Sequence, residues 1–184
     1  GGRTRRWARK PDPAEIIQRA NSAVRRLKSR GDERFIAAVR GALSLRSRRV
    51  PKQTEALARL WWPLVLSTNY DSCFASAFER WYPARRLEVL GRGPADCQRA
   101  LNSLTSSGHS ALWALQGYLG SPCATQRSLV SHGLERELVV GHDEYRRVTY
   151  RDLHFRRAFA EVFRSRSLFF VGSGIRETYL QELF

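Results

Sequence analysis

The chain has 184 residues, 42% of them hydrophobic, which suits one domain with a sizeable core and excludes a wholly disordered chain. No apolar run approaches the roughly 20 residues of a membrane span, and no apolar segment follows the basic start as a signal peptide requires. The formal net charge is +15, and residues 1–52 carry most of it, with 16 Lys or Arg against 4 Asp or Glu. Lysine occurs only at Lys10, Lys28 and Lys52, so the basicity is nearly all arginine, which is suited to planar, bidentate phosphate contacts. One reading is solvated helix faces in the product of a GC-rich genome. The other is an electrostatic patch for nucleic acid or an acidic partner. Cys73, Cys97 and Cys123 are odd in number and lack metal spacing, which predicts reduced thiols in a cytosol and no paired Cys-x-x-Cys zinc site.

Gly1 to Lys10 is basic, without periodicity, and reads as a loop. Asp12 and Pro13 predict a helix start, with Ile16, Ile17, Ala20, Ala23, Val24 and Leu27 as its apolar stripe. Gly31 ends that helix, and Asp32 is placed to cap a second one carrying Phe35, Ile36, Val39, Ala42 and Leu43. Residues 44–52 form a basic connector, and Pro51 opens a third helix through Leu60. Leu64 to Leu66 is a short apolar run cut off by Ser67-Thr68-Asn69-Tyr70-Asp71, after which apolar residues recur at helical spacing to Phe78. That pattern predicts a buried strand, a tight polar turn and a helix. Arg86 to Leu90 reads as a short strand, and residues 91–108 as a polar loop with a helix over 95–104. Ala111 to Leu115 is a strand running into the Gln116-Gly117 turn, and Glu137 to Gly141 is a further strand candidate. Tyr150 to Arg164 reads as one long amphipathic helix. Ser167 to Val171 reads as a last strand ending in Gly172-Ser173-Gly174, with a helix from about Arg176. The whole predicts an α/β fold: a Rossmann-like central parallel sheet with flanking helices and a helical insertion. It forms a single domain over 1–184, with a basic helical part (1–60) and a sheet-forming part (61–184).

In an open α/β sheet, ligands bind beyond the carboxyl ends of the strands. Ser67, Thr68, Asn69 and Asp71 bring two hydroxyls, a carboxamide and a carboxylate to such an edge, a grip for a sugar and an amide. The plainer reading makes Asn69 a turn former and Asp71 a helix cap. Ser67-Thr68-Asn69-Tyr70-Asp71 resembles the Thr-Thr-Asn-Tyr-Asp signature of bacterial sirtuin-like domains, a cousin of the Thr-Gln-Asn-Ile-Asp loop of sirtuin deacylases. Further matches follow in order. Ala111–Gly117 resembles the family's apolar strand and His-Gly, with Gln116 in place of the histidine. Glu137–Tyr145 resembles its strand, acidic turn and helix-opening tyrosine. Residues 167–177 resemble its closing strand and Gly-x-Ser turn, with Gly174 in place of the serine and Glu177 where an aspartate usually stands. The resemblance covers roughly residues 60–184.

What the resemblance implies is NAD as substrate, cleaved at the nicotinamide bond, with no metal. Asn69 would orient ribose or water, Asp71 would hold the carboxamide, and Ser67, Thr68, Gly117, Gly172, Ser173 and Gly174 would contact the dinucleotide. Gln116 accepts no proton near neutral pH, so the chain as written is expected to be inactive or very slow. Either the histidine was replaced on purpose in a host-toxic domain, or the protein is a natural pseudoenzyme. The family's Gly-Ala-Gly-x-Ser pyrophosphate loop is missing from the sequence, so the chain is a fragment of a longer one or its phosphate grip is lost. Relatives in bacterial antiphage systems, some beside a short prokaryotic Argonaute, deplete NAD upon infection. That implies a cytoplasmic protein with other domains or subunits of a defence complex, or copies of itself, as partners. Three functions follow: an NAD+ glycohydrolase of abortive infection, a catalytically dead sirtuin-like scaffold, or an arginine-rich nucleic-acid-binding module using residues 1–52.

Overall fold

The computed structural model describes residues 12–43, 50–120 and 128–172. Four parallel strands, β1 (Leu64–Ser67), β2 (Leu87–Leu90), β3 (Ser110–Ala114) and β4 (Leu129–Val130), form one sheet in the order β1-β3-β2-β4. The fold is therefore α/β, with a Rossmann-like parallel sheet and flanking helices, as the alternation of apolar runs and helical stripes predicts. β3 is buried along its whole length, as a strand covered on both faces must be. Its alternation divides the core. Ala111, Trp113 and Leu115 pack with Phe155, Phe159 and Val162, whereas Leu112 and Ala114 pack with Ala75, Phe78, Val89 and Leu134. The fully buried Trp113 indole donates to the Gly91 carbonyl at 2.8 Å, so no polar atom of the ring is left unpaired.

The helices are α1 (Pro13–Lys28), α2 (Asp32–Ala42), α3 (Lys52–Ala58), α4 (Cys73–Trp81), α5 (Pro94–Ser103), α6 (His142–Arg151) and α7 (Leu153–Ser165). α4 and α5 follow β1 and β2 directly, as the sequence predicts. α1 and α2 share a third core, in which Val24, Phe35 and Ile36 pack with Leu119 and Leu138, and Tyr70 lies against it. The basic helical part is thus seated on the loops that leave β1 and β3.

Several expectations are corrected. Asp32 opens α2 rather than capping it; Gly31, at φ 108, holds the cap position. Residues 137–141 form no strand: they run beside the loop after β3, with the Val139 amide donating to the Gln116 carbonyl at 3.0 Å. Short apolar runs do not reveal their partner, and this one pairs with a loop instead of the sheet. The long helix expected over 150–164 is two helices, because Asp152 breaks it and caps α7, its carboxylate accepting the Phe155 amide. Residues 167–171 form no strand, and Phe169 is 73% exposed. β4 was not anticipated. Residues 1–10, most of the basic connector and the helix expected from Arg176 lie outside the described residues.

Candidate functional site

β1 and β3 are neighbours, so the two segments singled out in the sequence leave the same edge of the sheet. The ladder extends past both strands: the Leu115 amide donates to the Ser67 carbonyl at 2.9 Å, and the Leu119 amide to the Tyr70 carbonyl at 2.8 Å. Within the first turn the Asn69 amide donates to the Ser67 hydroxyl at 3.1 Å, a local side-chain turn. Tyr70 faces inward, its hydroxyl donating to the Val139 carbonyl. Asp71 accepts the Cys73 amide at 2.9 Å, so one carboxylate oxygen starts α4, and Ser72 holds the cap position. Thr68 is half-buried, and Asn69 is exposed. Among the described residues no hydrogen bond occupies the Asn69 carboxamide.

Gln116 is only 8% exposed. Next to it, Gly117 has φ 88, and a Cβ there would lie 2.7 Å from the Leu138 amide nitrogen. Glycine is therefore demanded by backbone packing as well as by φ. Gly172, also at positive φ (71), is exposed. Phe169, three residues earlier, stacks on Trp62 at the amino-terminal end of β1. Ser173 and Gly174 lie outside the described residues. The structure thus brings Ser67–Asp71 together with Gln116 and Gly117, and the Gly172 turn is not joined to them by any hydrogen bond among the described residues.

A buried ionic cluster lies beneath this edge, and sequence reasoning missed it. Arg92, at the end of β2, donates from Nη1 to the Leu115 carbonyl and from Nη2 to the Glu137 carbonyl, both at 2.8 Å. One guanidinium therefore ties together the two segments that flank Gln116. The Glu137 carboxylate accepts the Arg92 amide at 2.7 Å, and the Asp96 carboxylate accepts the Gly91 amide at 2.6 Å. Among the described residues Arg92 Nε has no hydrogen-bond partner, and Asp152 Oδ2 lies 4.0 Å away. Burial lowers the Arg92 pKa, against the opposing charges of Glu137 and Asp152. Burial raises that of Glu137, against the Arg92 amide and guanidinium. Cys97 is pushed up to about 12, first by burial and then by Asp152, Asp96 and Glu137, so it is an inert thiol at neutral pH. The available signal was Gly91-Arg92-Gly93-Pro94 between a strand and a helix. It resembles a phosphate-binding turn in outline only, because carboxylates already occupy the Gly91 and Arg92 amides that would face an anion.

The edge therefore presents two hydroxyls, a carboxamide and a carboxylate, from Ser67, Thr68, Asn69 and Asp71. The described residues show no free amide cradle for a pyrophosphate. A cleft of about 490 Å³ between α1 and α6 is lined by Asn21, Arg25, Lys28, Asp143, Glu144 and Arg147 among others. None of the site residues lines it, and its charges pair with one another, Lys28 meeting Glu144 at 2.6 Å. Among the described residues no cluster of His, Cys, Asp or Glu is arranged to hold a metal ion, and no helix is long and apolar enough to cross a membrane.

These features define an open parallel α/β domain whose polar strand exits lie at the edge where such sheets bind ligands. The SIR2-like domain model matches residues 63–184, from the start of β1 onward. The chain belongs to the SIR2-like domain family, whose domains bind NAD. No curated protein and no solved structure matches it.

Proposed function

We propose that this chain is the sirtuin-like domain of a bacterial antiphage system, built to hydrolyse NAD+ to nicotinamide and ADP-ribose and disabled at Gln116. The reading is carried by one observation: the Ser67–Asp71 turn and Gln116 sit at adjacent strand exits, joined by backbone hydrogen bonds. In this reading Asn69 holds a ribose hydroxyl or the attacking water. Asp71 receives the carboxamide N–H on acceptor positions that the Cys73 amide does not use. Water adds to the ribose carbon as the nicotinamide bond breaks, and the displaced proton needs a base. A histidine at 116 would take it, but a glutamine side chain does not, and general-base help is worth about 10²–10⁴-fold. The proposed setting is cytoplasmic, with other subunits of a defence complex or copies of this chain as partners.

A second reading, a catalytically dead scaffold, is favoured by the carboxylate-filled turn at Gly91-Arg92, which leaves no anion cradle there. Nicotinamide release from NAD+ separates the two. Gln116→His should raise turnover at least a hundredfold over the chain as written, and Asn69→Ala on that background should abolish it. No release from either form would leave the scaffold.

A further inference from the structure

Opposite the candidate site, at the amino-terminal ends of the strands, lies a corner where arginines and tryptophans alternate. The Arg59 guanidinium lies 4.1 Å over the Trp81 ring, and that of Arg85 lies 4.2 Å over Trp61. The corner is braced from within. The Trp62 indole donates to the Leu57 carbonyl at 2.8 Å, the Tyr82 hydroxyl donates to the Arg59 carbonyl at 2.6 Å, and Trp61 meets Tyr82 edge-on. Among the described residues, neither Arg59, Arg85 nor the adjacent exposed Arg86 has a carboxylate partner, and Arg80 reaches Glu55. Trp81 keeps 40% of its surface exposed.

The contrast with α1 lies in what holds the cations. On α1, Arg19 pairs with Glu15, Arg25 with Asp143 and Lys28 with Glu144. Among the described residues, these three of the 16 basic side chains of residues 1–52 hold α1 to itself and to α6. At the α3–α4 corner the guanidiniums of Arg59 and Arg85 lie over indoles and, among the described residues, meet no carboxylate. Side chains held in place lose little freedom on binding, and a planar fork suits phosphate oxygens. Exposed indole beside fixed cations is also what unstacked bases require.

We propose that the corner formed by Arg59, Trp61, Trp81, Arg85 and Arg86 binds single-stranded nucleic acid, guanidiniums on its phosphates and Trp81 against a base. The proposal does not depend on NAD chemistry, since the corner lies at the other end of the sheet.

The test is fluorescence anisotropy with a labelled 20-nucleotide thymidine oligomer and the whole chain at low salt, circular dichroism confirming that each variant is folded. Arg59→Ala with Arg85→Ala should weaken binding about tenfold or more and flatten the salt dependence by about 1.4 in log–log slope. Trp81→Ala should weaken it roughly fivefold or more. Arg26→Ala with Arg34→Ala, an equal loss of charge elsewhere, should change it less than about twofold. The proposal fails if the unmodified chain does not bind the oligomer, or if the Arg26/Arg34 control loses as much as the Arg59/Arg85 pair. It also fails if a duplex of equal length or a labelled polyglutamate of equal charge binds more tightly, which would make the partner double-stranded or an acidic protein.

Discussion

At Gly117 two constraints coincide that Gly108 separates. Both have positive φ, 88 and 87, but a Cβ at Gly108 meets nothing, whereas at Gly117 it would press on the backbone of Glu137 and Leu138. Gly108→Ala should therefore cost only the left-handed strain of about 1 kcal/mol. Gly117→Ala should cost that and more, about 2–4 kcal/mol, read as the difference between their urea midpoints. Arg92 is a second fixed point. Removing it leaves the Leu115 and Glu137 carbonyls buried without donors, at about 1–3 kcal/mol each. Arg92→Ala should be strongly destabilised, with the Val139 amide losing exchange protection because it binds the Gln116 carbonyl. Titration follows from the same cluster. Burial raises Glu137 above its ordinary 4.5, so the folded chain retains a proton that the unfolded chain has released. That contribution to stability is full below pH 4.5 and is lost as pH rises through the higher folded value. Glu137→Gln should flatten this decline in urea midpoints measured from pH 4 to 8. Cys97, raised to about 12, should resist alkylation at pH 8 in the folded chain and react once it is unfolded.

Among the elements, those that the sequence revealed were the ones whose pattern is local. β1, β3, α4 and α5 announce themselves by an apolar run and a polar stop or by helical spacing, because each buries a face that its own residues define. β4 has only Leu129 and Val130, both exposed, and owes its strand geometry to β2. Residues 137–141 carry a strand-like run whose partner, the loop after β3, lies far away in sequence. The α6–α7 break depends on Asp152, which also faces Arg92, and a side chain 60 positions distant leaves no mark in helical periodicity. The Ser67–Asp71 turn was legible as a candidate site because its residue types carry chemistry. Arg92 was not, since only the fold brings Leu115 and Glu137 to it. The α1–α6 junction offers a test at this scale. Lys28 Nζ reaches both Glu144 oxygens at 2.6 Å and lies over the Phe35 ring, whereas Arg25 and Asp143 meet in solvent. Lys28→Ala should cost about 1–3 kcal/mol and Arg25→Ala about 0.5 or less, measured by urea unfolding.

For the molecule as a whole, the question is whether the basic helical part is an appendage or a lid on the site. The family match begins at residue 63, which leaves α1 and α2 outside it. Their apolar stripe nevertheless meets Leu119 and Leu138, with Tyr70 against the same core, so these helices cover the loops that present Asn69 and Gln116. If they brace the site, weakening their core should loosen it before the sheet. Phe35, 2% exposed, is the residue to remove, and Phe35→Ala should cost about 3–5 kcal/mol. The Leu119 amide, bonded to the Tyr70 carbonyl across the two strand exits, should then exchange well ahead of the β3 amides. Phe159→Ala, a similar loss on the α7 side of the sheet, should not single out Leu119. Equal protection of Leu119 in both variants would make α1 and α2 an appendage. Early exchange in Phe35→Ala alone would make them part of the site's architecture, as the shared core requires.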